Sequence, residues 1–144
     1  MPKETVAIAA DHAGFALKTV LKEELARMGF DVLDLGTHDT ERVDYPDFAD
    51  ALGREIESER VRRGVLICGS GLGISIAANR HRAVRAAPCR DVTAARLARA
   101  HNDANVLAFG ERLIGVAVAL ECLHAFFDTT FEGGRHQRRV DKMS

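Results

Sequence analysis

The part of this sequence best suited to chemistry is the glycine-rich stretch Cys68–Gly73, which reads CGSGLG. It follows a nearly all-apolar run of strand length and precedes a stretch with helical spacing. Glycines at such a junction let backbone N–H groups approach an anion closely, and the helix dipole favours negative charge there. The pattern predicts an anion-binding loop. The alternative is a tight strand–helix turn that binds no ligand.

Single positions exclude four familiar loop motifs. Ile74 stands where a dinucleotide-binding fingerprint needs its third glycine and where a cysteine phosphatase loop needs arginine. No Gly-Lys pair is present to form a Walker loop. Cys68 occupies the place of the first glycine in a nucleophile elbow. The loop therefore matches none of these motifs.

Polar side chains beside this loop could take part in a reaction. Cys68 ends a strand just before a helix, where amide groups and the helix dipole favour a thiolate that serves as nucleophile or general base. The alternative is a buried, unreactive thiol. Asp11 and His12 end the first predicted strand. They form either a helix cap with an incidental histidine or a catalytic or phosphate-binding pair.

The remaining candidates lie in the last third of the chain. His101 ends a predicted helix, where the dipole favours a cationic imidazole. Arg135 and Arg139 are four residues apart on a predicted basic helix and could converge on one phosphate, although such residues are more often solvated. The other histidines show no metal-binding spacing, so we expect no catalytic metal; they are His38, His81, His124 and His136.

Composition restricts the class of protein. The 144 residues suit one domain, and 47% apolar with 28% charged residues is an ordinary globular composition. Twenty Lys and Arg against 21 Asp and Glu disfavour a general nucleic-acid or membrane binder. The three cysteines form no CxxC pair, which predicts neither a zinc knuckle nor a disulfide framework. With no signal peptide and no apolar run of roughly 20 residues, we expect a cytoplasmic protein.

Apolar runs alternate with amphipathic stretches, which predicts an α/β fold, Rossmann-like in three layers, with a five-stranded parallel sheet flanked by helices. The predicted strands are 6–10, 30–35, 64–68, 83–87 and 105–109. The predicted helices are 15–28, a helix capped by Asp47, one ending near 79, and 91–100, 112–127 and 135–142. In the longest helix we expect Leu113 and Val116 to face inward. We expect Asp11-His12, the glycine loop and His101-Asn102 to lie where the strands end, since ligands bind there in such sheets.

Five segments together resemble the type B ribose-5-phosphate isomerases, within the ribose/galactose phosphate isomerase family. They are ADHAG at 10–14, DYP at 44–46, CGSGLG at 68–73, HNDANVLAFGER at 101–112 and GGRHQRRV at 133–140. They occur in the expected order and spacing over nearly the whole chain, which is far more specific than one glycine loop.

The resemblance implies an aldose–ketose isomerase that interconverts ribose 5-phosphate and ribulose 5-phosphate through an enediolate, with no metal or cofactor. It also implies one domain, 1–144, in a homodimer or tetramer, with the basic helix at about 135–143 at the dimer interface. By the same resemblance, Cys68 moves a proton between C1 and C2, and His101, with Asp11 nearby, helps to open the furanose ring. Further implied substrate contacts, some supplied by the partner subunit, are His12, Tyr45, Gly69, Ser70, Gly71, Leu72, Gly73, Asn102, Arg112, Arg135 and Arg139.

One position departs from the family pattern, because Ser70 replaces the threonine of the common CGTG loop. Its hydroxyl could still bind the enediolate, and the missing methyl leaves the length of the sugar open. The same chemistry on allose 6-phosphate, galactose 6-phosphate or a four-carbon sugar phosphate is one alternative. A non-catalytic phosphosugar-binding module is another. A flavodoxin-like or receiver-like domain would share only the architecture.

Overall fold

The structure, a computed structural model, describes residues 2–144 and contains one five-stranded sheet in which neighbouring strands run parallel. In chain order the strands are Thr5–Ala10 (β1), Asp31–Asp34 (β2), Arg63–Cys68 (β3), Ala86–Pro88 (β4) and Val106–Gly110 (β5). Their order across the sheet is β2-β1-β3-β5-β4. The three central strands are almost entirely buried, because helices cover both of their faces.

The helices complete the three layers. In chain order they are Phe15–Arg27 (α1), Tyr45–Glu57 (α2), Leu72–Ala78 (α3), Val92–Asn102 (α4), Val116–Asp128 (α5) and Arg135–Asp141 (α6). Apolar residues of α1, α4 and α5 form a core on one face of the sheet, and those of α2 and α3 form a second core on the other. The predicted three-layer fold is confirmed. Within residues 2–144, no helix has both the length and the apolar character that crossing a membrane requires.

The start of α2 differs from the prediction that Asp47 caps it. The helix begins at Tyr45, and Asp44 occupies the cap position with an extended backbone. Pro46 lies in the first turn, where its fixed φ suits a helix and its missing N–H leaves no bond unmade. The consequence is that Tyr45 is held by the rigid first turn of a helix rather than by a loop.

The start of α5 is four residues later than predicted. The N–H of Arg112 donates to the carbonyl of Gly69 at 3.0 Å, so this part of the chain supports the glycine loop instead of continuing a helix. The helix begins only at Val116. Leu113 and Val116, expected to face the core, are therefore 46% and 49% exposed.

The fourth strand is shorter than the predicted 83–87 and comprises Ala86–Pro88. The side-chain amide of Asn105 donates to the carbonyl of Ala83 at 2.7 Å, which holds the residues before the strand in a turn. Pro88 is the last residue of the strand. Because β4 lies at the edge of the sheet, the missing N–H of proline is not needed by a neighbour.

Candidate active site

A cavity of about 350 Å³ opens at the edge of the sheet where β1 and β3 end. Most of the residues that line it belong to the predicted site. The lining residues are Asp11, His12, Ala13, Tyr45, Cys68, Gly69, Ser70, Gly73, Arg112 and Leu113. The carboxyl ends of parallel strands meet at one edge, so residues far apart in sequence converge here as expected.

Cys68 lies at the end of β3 with its thiol almost fully buried against the glycine loop. Its Sγ accepts a hydrogen bond from the N–H of Gly71 at 3.1 Å. Gly71 has a φ of +76°, and a Cβ there would come within 2.8 Å of the carbonyl carbon of Phe109. Glycine is thus required at 71 both by the backbone conformation and by space. The loop thereby directs an N–H dipole at the sulfur.

Ser70 and the start of α3 form the outer part of the same loop. The Ser70 hydroxyl oxygen accepts a hydrogen bond from the N–H of Leu72 at 3.2 Å, so its own proton is free for a ligand. The backbone of Gly110 packs directly behind Ser70, where a Cβ would approach the Ser70 carbonyl carbon to 2.3 Å. The Leu72 side chain is exposed and does not line the cavity.

Asp11 and His12 border the cavity at the end of β1. Oδ1 of Asp11 accepts hydrogen bonds from the N–H groups of Ala13 and Gly14, at 3.0 and 3.2 Å, so Asp11 does cap a short 3₁₀ turn. Nδ1 of His12 accepts a hydrogen bond from the N–H of Val43 at 3.2 Å. In the neutral ring this assigns the proton to Nε2, which has no other partner among residues 2–144 and can donate to a ligand.

Tyr45 and Arg112 provide polar groups at the mouth of the cavity. The Tyr45 ring lies against Gly73, where a Cβ would come within 2.6 Å of the ring. The Arg112 side chain lies over Gly69. Within the described part of the chain, the Arg112 guanidinium has no carboxylate partner, so its charge is available to an anion. The cavity thus combines a thiol, amide donors and an unpaired cation.

Four predicted site residues lie at the opposite edge of the sheet, and the expectation that two of them, His101 and Asn102, lie beside the glycine loop is wrong. His101 and Asn102 form the last turn of α4, just before β5 begins at Val106. Cys68 is paired with Gly110 at the far end of β5. That strand spans about 13 Å. A helix that connects two parallel strands ends at the edge where the next strand starts. The four residues at this edge are therefore separated from the cavity; they are His101, Asn102, Arg135 and Arg139.

A cluster at this second edge surrounds His101. Its ring stacks on the ring of His136, with the centroids 4.2 Å apart and the planes at 14°. The Glu132 carboxylate lies 3.9 Å from Nε2 of His101 and 3.6 Å from Nε2 of His136. The ligating atoms of the three side chains fall within 4.8 Å of one another. An imidazole nitrogen binds a metal ion in the plane of its ring. The two stacked rings are nearly parallel, so one metal ion could not lie in both ring planes.

The surroundings of His136 keep its imidazole neutral. Its pKa is lowered first by burial and then by the positive charge of Arg135, effects that the Glu132 carboxylate only partly offsets. Its Nε2 is buried without a hydrogen-bond partner. Sequence reasoning missed Glu132 and His136 as partners of His101, because no short motif links positions 101, 132 and 136.

Comparison with known proteins decides the family. The family described as Ribose/Galactose Isomerase matches residues 6–143. The chain belongs to this family. It is 43% identical to ribose-5-phosphate isomerase B of Escherichia coli over 139 residues, which cover 96% of this chain and 93% of that protein. The resemblance drawn from five sequence segments is thereby confirmed, and the chain is an aldose–ketose isomerase by family.

Solved structures agree with the family assignment. A ribose 5-phosphate isomerase of Thermotoga maritima superposes with a TM-score of 0.94 at 48% identity, covering 97% of each chain. The type B ribose 5-phosphate isomerase of Trypanosoma brucei superposes with a TM-score of 0.95 at 42% identity, covering 99% of this chain and 97% of that one. The whole fold, and not only the glycine loop, is therefore that of the isomerase family.

A larger cavity, of about 560 Å³, lies at the amino edge of the sheet but contains none of the predicted site residues. Its arginines are largely neutralised within the chain. Arg63 forms a two-pronged ion pair with Glu4, and Arg85 and Arg99 both contact Asp103. The smaller cavity beside Cys68 therefore remains the candidate for the isomerase reaction.

Proposed function

We propose that this protein interconverts ribose 5-phosphate and ribulose 5-phosphate through an enediolate. The observation that carries the proposal is the Cys68 thiol on the wall of a sugar-sized cavity, with the Gly71 N–H directed at its sulfur. The names of relatives that are 42–48% identical over nearly the full chain support the choice of substrate. We also propose a cytoplasmic location, where three free thiols would remain reduced.

Cys68 acts as the base in the proton transfer. The thiolate takes the proton from C2 of the open-chain aldose, and the C2–H electrons form the C1–C2 double bond while those of the C1 carbonyl move onto O1. Transfer of the hydroxyl proton from O2 to O1, and return of the proton from sulfur to C1, completes the ketose. Loop amides and the Ser70 hydroxyl stabilise the developing oxyanion, and each such donor is typically worth about 2.7–4 kcal/mol.

The phosphate is held by donors that surround the sugar cavity. Nε2 of His12 and the guanidinium of Arg112 provide two of them on the chain that contributes Cys68. Arg135 and Arg139 lie one turn apart and exposed on α6, and we assign them to the same phosphate from a second copy of the chain. Binding of the non-reacting phosphate positions C1 and C2 against the thiol.

A homodimer completes the site in this proposal. Cys68 and His101 lie at opposite edges of one sheet, so neither chain alone can bring both to one sugar. In a twofold dimer, the edge of one chain that carries Cys68 can face the edge of the other chain that carries His101, and the reverse. This arrangement gives two complete sites, with α6 at the interface. Large apolar side chains are exposed around the cavity and on the helices beside it, as an interface requires: Leu72, Ile76, Leu113, Val116 and Val118.

Ring opening is assigned to His101 of the second copy and Asp11 of the first. His101 gives a proton to the ring oxygen O4 as the C1–O4 bond breaks, and Asp11 accepts the proton of the C1 hydroxyl as the carbonyl forms. A histidine suits this step because it exchanges protons near neutral pH. Asn102, beside His101 at the end of α4, is assigned to the sugar hydroxyls.

Purified wild-type protein and the Cys68→Ala variant test the function on a panel of sugar phosphates, with ketose formation followed directly. The panel contains ribose 5-phosphate, allose 6-phosphate, galactose 6-phosphate and erythrose 4-phosphate. Turnover that is fastest on ribose 5-phosphate and lost in Cys68→Ala supports the proposal. Preference for a longer sugar would support the alternative that the enzyme acts on another sugar phosphate, which the missing methyl at Ser70 leaves open. Binding of phosphosugars without turnover by the wild type would point to a binding module instead.

A further inference from the structure

The position of His101 depends on a turn that lies thirty residues further along the chain. The N–H of Glu132 donates to the carbonyl of Ala100 at 3.0 Å, which attaches this turn to the end of α4. Gly133 and Gly134 then adopt φ values of +67° and +54°. These values are costly for residues with a Cβ, and they reverse the chain so that Glu132 and His136 both face His101.

The two contacts that this turn provides do different things to the His101 ring. His136 stacks on it almost in parallel, which limits rotation of the ring out of that plane. Glu132 lies 3.9 Å from Nε2 of His101, a distance for an ion pair rather than a direct hydrogen bond. Together they define the plane of the His101 ring and place a carboxylate beside its Nε2.

The surroundings of His136 disfavour a proton on its ring. His136 is buried at the base of α6 and next to the cation of Arg135, both of which disfavour a second positive charge. Two stacked imidazolium ions would repel each other. The half-exposed carboxylate of Glu132 therefore faces a neutral His136 ring and lies beside Nε2 of His101.

We propose that Glu132 and His136 are positioning residues that orient His101 for proton donation during opening of the sugar ring. The inference rests on the proposed function, because it deepens the role of His101 in that reaction. In that step Nε2 of His101 gives a proton to O4 as the C1–O4 bond breaks, and Asp11 accepts the C1 hydroxyl proton as the carbonyl forms. Neither Glu132 nor His136 contacts the sugar in this assignment, so neither is a catalytic residue.

A pair of assays separates ring opening from the proton transfer at carbon. Conversion of ribose 5-phosphate requires both steps, because this sugar is mainly a closed furanose. Ribulose 5-phosphate cannot close a furanose ring, since its C5 oxygen carries the phosphate. Exchange of its C1 proton with deuterium from solvent, followed by NMR, therefore reports the Cys68 step alone.

Glu132→Gln is the main test, because the change is nearly isosteric at a half-exposed position. A positioned proton donor contributes about 10²–10⁴-fold, and we expect loss of its orienting carboxylate to lower kcat for ribose 5-phosphate about tenfold. KM and the C1 exchange rate should each stay within about twofold of wild type, since phosphate contacts and Cys68 are untouched. Glu23→Gln, an exposed carboxylate on α1, is the matched control and should change neither assay.

His136 is tested with two substitutions that separate stacking from the loss of a ring nitrogen. His136→Phe keeps a flat ring against His101, whereas His136→Ala removes it. We expect His136→Phe to retain severalfold more conversion than His136→Ala, with C1 exchange preserved in both. Equal loss of exchange and conversion in Glu132→Gln, or wild-type conversion by that variant, would overturn the inference. Failure of the proposed function would look different, because wild-type protein would then leave ribose 5-phosphate unchanged.

Discussion

The sulfur of Cys68 accepts a hydrogen bond from the N–H of Gly71 at 3.1 Å, and the left-handed conformation of Gly71 makes that contact possible. The other two thiols lie in a different environment. Burial raises the pKa of Cys89 to about 12 and that of Cys122 to about 11, with smaller contributions from nearby acidic groups, so both stay protonated at neutral pH. The three cysteines should therefore differ in reactivity.

We predict that iodoacetamide inactivates the enzyme by modifying Cys68 alone. The thiolate is the reacting form, and only Cys68 combines an N–H donor with a position on a cavity. Mass spectrometry of the digested protein should show one adduct that accumulates in parallel with loss of activity, and inorganic phosphate should slow both. Inactivation with Cys68 unlabelled would contradict this assignment.

Mixed dimers should recover activity if the site is shared between copies. Cys68→Ala and His101→Asn homodimers should both be nearly inactive. After unfolding and refolding together, about half of the dimers should contain one of each chain, and each mixed dimer has one site with both native residues. We therefore expect about a quarter of wild-type activity. No recovery beyond the separate variants would show that Cys68 and His101 do not act across subunits.

The buried ion pair between Lys18 and Asp34 should be a strong determinant of stability. Nζ of Lys18, 2% exposed as a residue, donates to both carboxylate oxygens of Asp34 at 2.8 and 2.7 Å. Lys18→Met should lower the free energy of unfolding by up to about 3 kcal/mol, the low end for a broken buried pair, because the partly buried carboxylate loses the partner that contacts both of its oxygens. Lys22 contacts the same carboxylate from an exposed position, so Lys22→Met should cost no more than about 1 kcal/mol.

Urea unfolding of the two variants measures this difference. The double variant Lys18→Met/Asp34→Leu serves as a further control, because it also removes the carboxylate that has lost its buried partner, and it should recover part of the loss. Equal unfolding midpoints for Lys18→Met and Lys22→Met would show that burial of Lys18 has no energetic consequence.

His81 should make stability depend on pH. Its Nε2 lies 2.9 Å from Oδ1 of Asp50, and its Nδ1 contacts Glu57, so both bonds are made only by the protonated ring. The hydrogen bond to Asp50 raises the pKa of His81 above its usual 6.5, against the effect of burial, and Glu57 adds to the increase. A raised pKa means that the stabilisation is fully present below pH 6.5 and is lost as pH rises through the higher value of the folded state.

Thermal unfolding at pH 6 and pH 9 tests this linkage. The wild type should lose more Tm than His81→Gln between the two pH values, because the variant has no proton to lose at this position. The comparison also removes the contribution of other groups, such as the His124–Glu24 pair, which both proteins share. A parallel decrease in the two proteins would contradict the assignment.

Local sequence determined the central strands, the glycine loop and the family. The runs that form β1, β3 and β5 are apolar throughout because both of their faces are covered, and five motifs in a fixed order are sufficient to identify the isomerase family. The predicted bounds of helices and strands were wrong where a residue distant in sequence forms a hydrogen bond to the segment. Arg112 supports the glycine loop instead of starting a helix, and Asn105 holds the residues before β4 in a turn.

Only the tertiary structure decided which predicted site residues can meet. Sequence assigned His101 to the same edge as Cys68, but the return of α4 across the sheet separates them by the length of β5. The fold likewise brings Glu132 and His136 to His101 through two glycine conformations and one backbone hydrogen bond. Motifs specify local chemistry, because neighbouring residues share one backbone segment. Contacts between distant residues depend on the direction of each element, which is set by how the whole chain packs.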